Sequence, residues 1–334
     1  IEVNVPRTRR LAKKDQFSQS CSVSPLCCNL FPPQPEECDT ALLTRLRYYL
    51  VKFDPARARP FRGEATEFET TAADGVRISG SRLAGDGPLA FLLVHGLFAH
   101  RRIPALLELA EALNRFGPVW TMDLRGHGTS GGFCTLGHAE ALDVAAVTAA
   151  MRAETTLPIV AIGFSMGAAA VIRSAALLEP VDASVAISGP ADWRDAGQRG
   201  RGARRTALIW RVPGGLAAAK ALTGVRLSGQ MPNRDSPLEV VGQIAPAPIL
   251  IVHGSADPFF PPEEAEDLYD KAGEPKDLWI IPGGGHAEGL FSLGPSVLPE
   301  IVDAFAVELL RRLERLMADR GPSRGVRSTP PNAG

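Results

Sequence analysis

The sequence lacks any apolar run long enough to cross a membrane, and it has almost no net charge. The longest apolar stretch, residues 89–99, contains His95 and falls well short of the roughly 20 residues that a membrane-spanning helix needs. A formal net charge of −1 gives no global electrostatic reason to bind nucleic acid. No basic and then apolar leader with a small-residue cleavage site opens the sequence. We therefore expect no transmembrane segment, no nucleic-acid partner and a cytoplasmic location.

Cysteine is scarce, and four of the five cysteines (Cys21, Cys27, Cys28 and Cys38) lie in the first 40 residues, which leaves Cys134 alone. Their spacing matches no standard zinc pattern, and the adjacent Cys27 and Cys28 cannot easily serve one site together. Incidental thiols are the first interpretation, with a disulfide and a metal site as alternatives. No residue pattern implies a bound metal or an organic cofactor.

The composition is that of an ordinary globular protein, with 334 residues, 45% of them apolar and 22% charged. A chain of this length can bury one large core, and we assign residues 41–320 to a single domain. Residues 1–40 mix basic, Ser, Pro and Cys positions without periodicity, so they are predicted to lack stable structure. A short amphipathic helix is predicted at residues 42–50. Residues 321–334, rich in Pro, Gly, Ser and Arg, are predicted to be mobile.

Short apolar runs alternate with helical patterns along most of the chain. A β-hairpin is predicted within residues 67–83 around the turn dipeptide Asp74-Gly75. Buried strands are predicted at residues 89–94, 118–124, 158–164, 183–188, 248–252 and 278–282. Helices are predicted at residues 103–115, 138–154, 166–178, 262–271 and 296–320. This alternation predicts an α/β fold with a doubly wound, mostly parallel sheet that binds ligands at the carboxyl ends of its strands.

One interval, residues 190–247, breaks this rhythm, because it has no clear strand and is far longer than a crossover between strands requires. We predict that it forms a short helical lid insertion over the strand ends. A solvated lid face is the simplest interpretation, and attraction to an anionic acyl group or peripheral contact with a membrane surface is the alternative. The basic residues that raise this alternative are Arg194, Arg199, Arg201, Arg204, Arg205, Arg211, Lys220, Arg226 and Arg234.

The most informative motif is Gly163-Phe164-Ser165-Met166-Gly167, which stands between a predicted strand and a predicted helix. This layout is typical of a nucleophile elbow, a tight turn that lifts a serine oxygen above the sheet. Glycines flank the serine because the turn requires unusual dihedral angles and close backbone contact. Ser165 is therefore the candidate nucleophile.

Four other predicted strands also end in chemically useful residues. His95-Gly96-Leu97 follows one strand, and the loop Asp123-Leu124-Arg125-Gly126-His127-Gly128-Thr129-Ser130 follows the next. Asp257 lies just after a late strand, and His286 lies in a glycine-rich loop after the last one. The chain order Ser165, Asp257, His286 is the Ser, acid, His order that accompanies nucleophile elbows.

Other polar residues near these strand ends have structural interpretations. His95 is expected to order the loop that it opens, and Arg125 and His127 are expected to brace theirs. Asp192, which follows the strand before the insertion, is the reserve candidate for the acid. A solvated helix start, with the mouth of a pocket as the alternative, is expected for His100, Arg101 and Arg102.

Together these motifs resemble the α/β-hydrolase superfamily, and most of all its lidded serine hydrolases, typified by monoacylglycerol lipases, esterases and serine aminopeptidase-like members. The resemblance covers the predicted domain from the hairpin onward. It implies that Ser165 is the nucleophile, His286 its general base and acid, and Asp257 the carboxylate that orients His286. It also implies an oxyanion hole formed by the backbone N–H groups of Leu97 and Met166.

The expected function is hydrolysis of an ester or related acyl bond in a small-molecule substrate, through an acyl-enzyme on Ser165. Peptidases, thioesterases, C–C hydrolases and acyltransferases use the same triad and stay open as alternatives. A non-catalytic binding protein of the same fold is the alternative from another class. Such proteins usually lose a member of the triad, and this chain has all three residues.

Overall fold

The computed structural model describes residues 56, 58–193, 200–230, 235–293 and 296–319. All the motifs that end the predicted strands lie within these residues. The predictions for residues 1–40, 42–50 and 321–334 concern parts of the chain that lie outside them.

A central sheet of eight strands carries the fold. The strands are β1 (Ala65–Thr71), β2 (Arg77–Leu83), β3 (Ala90–Val94), β4 (Val119–Met122), β5 (Ile159–Phe164), β6 (Ala183–Ile187), β7 (Ile249–Gly254) and β8 (Lys276–Ile281). Their spatial order is β1-β2-β4-β3-β5-β6-β7-β8. β2 runs antiparallel to both of its neighbours, and the other neighbouring pairs are parallel. The predicted doubly wound, mostly parallel sheet is confirmed.

Helices connect and cover these strands. Within the described residues they are α1 (Pro104–Asn114), α2 (Glu140–Glu154), α3 (Met166–Leu177), α4 (Arg201–Arg211), α5 (Gly215–Thr223), α6 (Pro237–Val240), α7 (Glu263–Lys271) and α8 (Pro299–Ala318). Two 3₁₀ turns, Val241–Gln243 and Ala287–Phe291, and a small ribbon of β9 (Ser292–Leu293) with β10 (Ser296–Val297) complete the description. None of the helices in this part of the chain is both long and apolar enough to span a bilayer.

The sheet is covered on both faces, which explains why its strands are continuous apolar runs. Helices α1 and α8 pack together on one face, and α2, α3 and α7 cover the other. In β3, Leu92 and Val94 join the core beneath α2 and α3, while Phe91 and Leu93 alternate toward the opposite face. All five residues of β3 are buried. A strand buried in this way loses the polar alternation of a half-exposed strand.

Several predicted boundaries differ from the structure by two residues or more, among them those of the carboxyl-terminal helix and of β7. The sequence pattern predicts the helix from residue 296, but α8 begins at Pro299, and Ser296–Val297 form a short strand instead. Leu298 is extended because the residue before a proline is disfavoured in helical conformation, and Pro299 suits the first helical position. β7 continues two residues beyond its predicted end, so that His253 and Gly254 are part of the strand.

The interval between β6 and β7 is helical where the structure describes it. Helices α4 and α5 pack against each other, and α6 packs on α3. The described residues of this interval contain no strand, and an isolated bridge joins Leu227 to Cys134. The fold is therefore a doubly wound α/β sheet with a helical insertion, as predicted.

Candidate active site

Ser165 occupies the sharp turn between β5 and α3 and has a φ of 52° and a ψ of −116°. The turn brings backbone segments so close that side chains cannot fit between them. A β-carbon at Gly163 would collide with the carbonyl oxygen of Gly167, and one at Gly167 would lie 2.5 Å from the carbonyl oxygens of Val94 and His95. The two glycines of the motif are therefore required by contact, and the elbow geometry presents Ser165 at the carboxyl end of β5.

A chain of hydrogen bonds joins the three residues that the sequence order pairs. His286 Nε2 lies 2.9 Å from Ser165 Oγ, and His286 Nδ1 lies 2.7 Å from Asp257 Oδ2. The Asp257 side chain is completely buried, whereas 16% of the His286 side chain is exposed. Because carboxylate oxygens only accept, Nδ1 carries the proton that binds Asp257, and Nε2 of a neutral imidazole is free to accept from the serine hydroxyl.

Asp257 is held by the turn that follows β7. Its Oδ1 accepts hydrogen bonds from the backbone N–H groups of Phe259 (2.7 Å) and Phe260 (3.0 Å). Both carboxylate oxygens are thus engaged, one by the turn and one by His286. The turn therefore fixes the position of the Asp257 carboxyl group, with Oδ2 directed at His286.

A second histidine lies beside Asp257, and sequence reasoning missed it. His253 Nε2 donates to the carbonyl oxygen of Phe260 at 3.0 Å and lies 3.4 Å from Asp257 Oδ2. Burial lowers the pKa of His253, so it acts as a neutral donor. Its sequence signal was present, because His253-Gly254 ends β7 in the same way that His95-Gly96 follows β3.

The loop that carries His286 is fixed by the end of β6, through a residue that sequence reasoning also missed. The backbone N–H of Ala287 donates to Ser188 Oγ at 3.0 Å. The carbonyl oxygen of the preceding residue, Ile187, accepts the backbone N–H of Ser165 at 2.8 Å. Consecutive residues at the end of β6 therefore hold the backbone of the candidate nucleophile and that of the loop after the candidate base.

Two aromatic rings flank His286. The Phe259 ring lies 4.7 Å from the imidazole, centroid to centroid, and the Phe260 ring lies at 5.4 Å in an edge-to-face arrangement. These rings limit the positions that the imidazole can adopt, and π-faces attract the positive charge that it would gain on protonation.

The two backbone groups predicted to form an oxyanion hole belong to two turns that meet at Ser165. A β-carbon at Gly96 would lie 3.1 Å from Ser165 Cβ, so the turn that contains Leu97 passes directly beside the serine. Met166 is the first residue of α3, where amides have no partner within the helix. Among the described residues, neither the Leu97 nor the Met166 amide donates a backbone hydrogen bond. That these two amides form an oxyanion hole stays a prediction from the sequence.

His95 is a structural residue of this turn, as predicted. Its Nε2 accepts the backbone N–H of Leu124 at 3.0 Å, so its Nδ1 is protonated and donates to the Gly96 carbonyl oxygen at 2.7 Å. Burial lowers the pKa of His95 to about 4, which keeps the ring neutral. His95 therefore ties the turn after β3 to the loop after β4.

The loop after β4 is braced by its own polar residues, as predicted. The Arg125 guanidinium binds the buried carboxylate of Asp143 and also Asp74. His127 Nδ1 contacts the Arg125 carbonyl oxygen at 3.0 Å, and burial lowers the pKa of His127 to about 3. Arg125 therefore ties the loop to α2 and to the turn between β1 and β2, and His127 contacts the backbone of the loop itself.

The predicted solvated start of α1 is wrong for His100 and Arg101, which are both buried. The Arg101 backbone N–H donates to Asp123 Oδ1 at 2.8 Å, and its guanidinium pairs with Asp123 and Glu67. Although burial opposes ionisation of Asp123, the charge of Arg101 lowers the pKa of that carboxyl. Sequence patterns could not show that an acid from another loop would meet this arginine.

The polar groups of the site are arranged for proton transfer. No group of three or more His, Cys, Asp or Glu side chains in the described residues could hold a metal ion. Ser165, His286 and Asp257 are joined to one another by hydrogen bonds, so the arrangement can transfer a proton between a hydroxyl and an imidazole.

Similarity to curated proteins extends over most of the chain in one case and over a short segment in others. The chain is 30% identical over 229 residues to the uncharacterized protein YqkD of Bacillus subtilis, which is 67% of this chain and 73% of YqkD. It is 42% identical over 48 residues to the uncharacterized protein YfhR of Escherichia coli (strain K12). That match covers 14% of this chain and spans 17% of the length of YfhR.

Solved structures share the fold. The esterase Pf2001 of Pyrococcus furiosus superposes with a TM-score of 0.60 at 23% identity, covering 76% of this chain and 92% of the esterase. The esterase RhEst1 of Rhodococcus sp. ECU1013 gives a TM-score of 0.56 at 20% identity, covering 75% of this chain and 99% of that one. GrgF of Penicillium sp. sh18, an alpha/beta hydrolase, also gives a TM-score of 0.56, at 21% identity, covering 76% of this chain and 99% of GrgF.

The sequence matches the alpha/beta hydrolase family over residues 91–297, which is more than half of the chain. The matched segment begins in β3 and includes Ser165, Asp257 and His286. The fold, the sheet order and this match agree, and the chain belongs to the alpha/beta hydrolase family.

Proposed function

We propose that this protein is a serine hydrolase that cleaves an ester or a related acyl bond through an acyl-enzyme on Ser165. The observation that carries the proposal is the continuous hydrogen-bonded chain from Ser165 Oγ through His286 to Asp257, with distances of 2.9 and 2.7 Å. A buried, hydrogen-bonded carboxylate at one end and a serine on a sharp turn at the other match the needs of nucleophilic acyl transfer.

In the acylation step, Ser165 Oγ attacks the substrate carbonyl carbon while its proton passes to His286 Nε2. The C–O bond to the leaving alcohol then breaks, and His286 returns the proton to the alcohol oxygen. Asp257 stabilises the imidazolium that exists between these two transfers and holds its Nδ1–H in place. The products are an ester on Ser165 and a free alcohol.

In the deacylation step, water replaces the alcohol. His286 Nε2 takes a proton from the water, whose oxygen attacks the acyl carbon, and then protonates Ser165 Oγ as the acyl–serine bond breaks. The carboxylic acid leaves. The negative oxygen of both tetrahedral intermediates requires donors that are already in place, and the amides of Leu97 and Met166, which make no backbone hydrogen bond within the described residues, suit this role.

The surroundings of the serine favour an apolar acyl group. Partly buried Leu97, Phe98, Ile209 and Trp210 pack against the same apolar core cluster as Met166. Apolar walls with a few placed polar groups are typical of small-molecule sites. We therefore propose an ester with an aliphatic acyl chain as the first class of substrate to test.

Covalent labelling tests the proposal directly. A fluorophosphonate probe should modify the native protein on Ser165, and Ser165→Ala should abolish that labelling while circular dichroism shows an intact fold. His286→Ala should slow labelling strongly, because the hydroxyl loses its base. Labelling that persisted in Ser165→Ala, or none in the folded native protein, would contradict the proposal.

A p-nitrophenyl ester series, from acetate to palmitate, then defines the bond and the pocket. Turnover that peaks at one acyl length and disappears in Ser165→Ala supports an esterase. Labelling of Ser165 without turnover of any ester would instead favour a thioester, peptide or C–C substrate, since the same triad serves those reactions.

A further inference from the structure

The insertion carries an exposed surface that is cationic and apolar at once. We call it the lid surface and define it by the exposed side chains of α4 and of the residues that follow, through α5: Arg204, Arg205, Leu208, Arg211, Val212, Lys220 and Leu222. The three apolar side chains of this surface are highly exposed: Leu208 is 50% exposed, Val212 53% and Leu222 76%. These are three of the large exposed apolar side chains of the described residues, and they share one short segment.

Helical spacing explains why these side chains lie together. In α4 the exposed positions 204, 205, 208 and 211 recur at helical intervals, so they share one face. The opposite face carries Ala203, which is buried against Phe260, and Ile209 and Trp210, which pack on the apolar core. In α5, Leu216 and Ala219 face the core, whereas the side chains at positions 220 and 222 are exposed.

The charge of this segment has one sign. Residues 200–230 contain six basic residues and no Asp or Glu, although the whole chain has a formal charge of −1. The basic residues are Arg201, Arg204, Arg205, Arg211, Lys220 and Arg226. A segment without carboxylates in a nearly neutral protein presents a local positive field that complements an anionic partner.

Helix α4, which carries part of the lid surface, contacts the turn next to the candidate active site. The Gly202 backbone N–H donates to the Pro258 carbonyl oxygen at 2.9 Å, and the ring of Phe259 lies directly against Gly202. Phe259 in turn lies against His286. The amino-terminal end of α4 is therefore two contacts away from the candidate base.

From these observations we infer that the lid surface docks this protein on a bilayer that contains anionic lipid, and that the substrate ester is taken from that bilayer. Basic side chains attract an anionic leaflet, and exposed Leu and Val side chains can enter its interfacial region. The apolar residues among the cations favour a lipid surface over nucleic acid, because the phosphates of a nucleic acid make no apolar contact with such side chains. The part of the inference that concerns the substrate rests on the proposed function.

Vesicle co-sedimentation with the full-length Ser165→Ala protein tests the docking, because this variant cannot alter the lipids. The vesicles are phosphatidylcholine alone, or phosphatidylcholine with about one third phosphatidylglycerol. The protein should bind the anionic vesicles and leave the neutral ones, and raising the salt concentration should weaken binding. Equal binding to both vesicles, or binding to neither, would overturn the inference.

Two double variants locate the surface. Arg205→Gln with Lys220→Gln should lower the partition coefficient by about fivefold for each cation removed. Leu208→Ser with Leu222→Ser should also weaken binding to the anionic vesicles. Any binding of a short single-stranded DNA should be the same with and without these leucines. DNA bound as tightly as the anionic vesicles, or vesicle binding that survives both variants, would contradict the lid surface as a lipid site.

Matched controls come from elsewhere on the molecule. Lys271→Gln removes an exposed lysine at the end of α7, and Val307→Ser removes a valine of α8 that is 55% exposed. Both should bind anionic vesicles as the parent does. Turnover of a soluble ester separates the two proposals, because the lid variants should retain it. Vesicle binding by a folded protein whose Ser165 is not labelled by a fluorophosphonate would leave the docking in place and contradict the proposed function.

Discussion

Four residues around the candidate nucleophile have a positive φ although none of them is glycine. They are Phe98 (57°), Ser165 (52°), Ser188 (50°) and Ala287 (49°). Such a conformation costs roughly 1–3 kcal/mol per residue and persists only where the surrounding contacts impose it. Here the contacts are the hydrogen bonds that end β5 and β6 and that fix the loop after His286. Conformational strain is thus concentrated where the proposed chemistry takes place.

Ser188 is the residue whose substitution tests this arrangement. Ser188→Ala removes the acceptor for the Ala287 N–H and keeps the strained φ, whereas Ser188→Gly removes the same acceptor and relieves the strain. We expect kcat on a soluble ester to fall about tenfold in both variants, because a displaced base costs rate even when the fold survives. The glycine variant should be about 1 kcal/mol more stable to urea than the alanine variant.

The rate and the stability are therefore expected to change independently in this pair. If the loss of rate followed stability, so that the glycine variant recovered the wild-type kcat, the Ser188 hydroxyl would not position the His286 loop. A wild-type kcat in Ser188→Ala would lead to the same conclusion.

At the scale of elements, the contact between α4 and the turn after β7 links the insertion to the site. Gly202 has the Phe259 ring directly against it, and a β-carbon at this position would lie 2.6 Å from the ring. The ring would have to move, and it now lies 4.7 Å from His286. The absence of a side chain at one helical position therefore determines where an aromatic neighbour of the candidate base can lie.

Gly202→Ala should for this reason lower kcat/KM on a soluble ester severalfold, roughly three- to tenfold, through displacement of Phe259. It should not destabilise α4, because alanine is favoured over glycine inside a helix by about 1 kcal/mol. Gly229→Ala is the matched control, since nothing lies within 4 Å of a β-carbon at that position of the same insertion. Equal kinetics for the two variants would show that the contact of α4 with Phe259 does not influence the site.

At the scale of the whole molecule, buried neutral histidines couple stability to pH. Burial lowers the pKa of His95 to about 4 and that of His127 to about 3. The unfolded chain protonates its histidines near pH 6.5. Between the folded pKa of each histidine and about pH 6.5, the unfolded state binds a proton that the folded state does not bind. The contribution of each histidine to stability is therefore lost as the pH falls below about 6.5. The loss is about 1.4 kcal/mol per pH unit for each histidine.

One carboxyl acts in the opposite direction. Burial raises the pKa of Asp143 to about 7, and below that pH the folded state holds a proton that the unfolded chain releases down to about pH 4. The test is therefore differential. The free energy of unfolding is measured with urea for the wild type and for His127→Gln at pH 6.0, 5.5 and 5.0. The slopes of this free energy against pH should differ by about 1.4 kcal/mol per pH unit between the two proteins. Identical slopes would mean that His127 does not stay neutral in the folded protein.

The alternation of strands and helices could be predicted because the central strands are all buried on both faces of the sheet. Parallel strands covered on both faces become continuous apolar runs, and the helices on them keep a helical repeat of apolar positions. β3, β5 and β6 and helices α1 and α3 accordingly lie within two residues of their predicted bounds. One exception follows local chemistry, at Pro299, where the extended residue before the proline delays the start of the helix.

The candidate residues Ser165, Asp257 and His286 could be named from the sequence because each follows a strand, and the carboxyl ends of parallel strands meet at one edge of the sheet. Their hydrogen bonds, the Ser188 contact with Ala287 and the position of His253 beside Asp257 depend on the folded arrangement of the strand ends. A local pattern reports what each segment can form alone, whereas distances between segments depend on how the sheet twists and packs. The motifs were therefore readable in the sequence, and the contacts that hold them, including those of α4 with Phe259, arise only when the chain is folded.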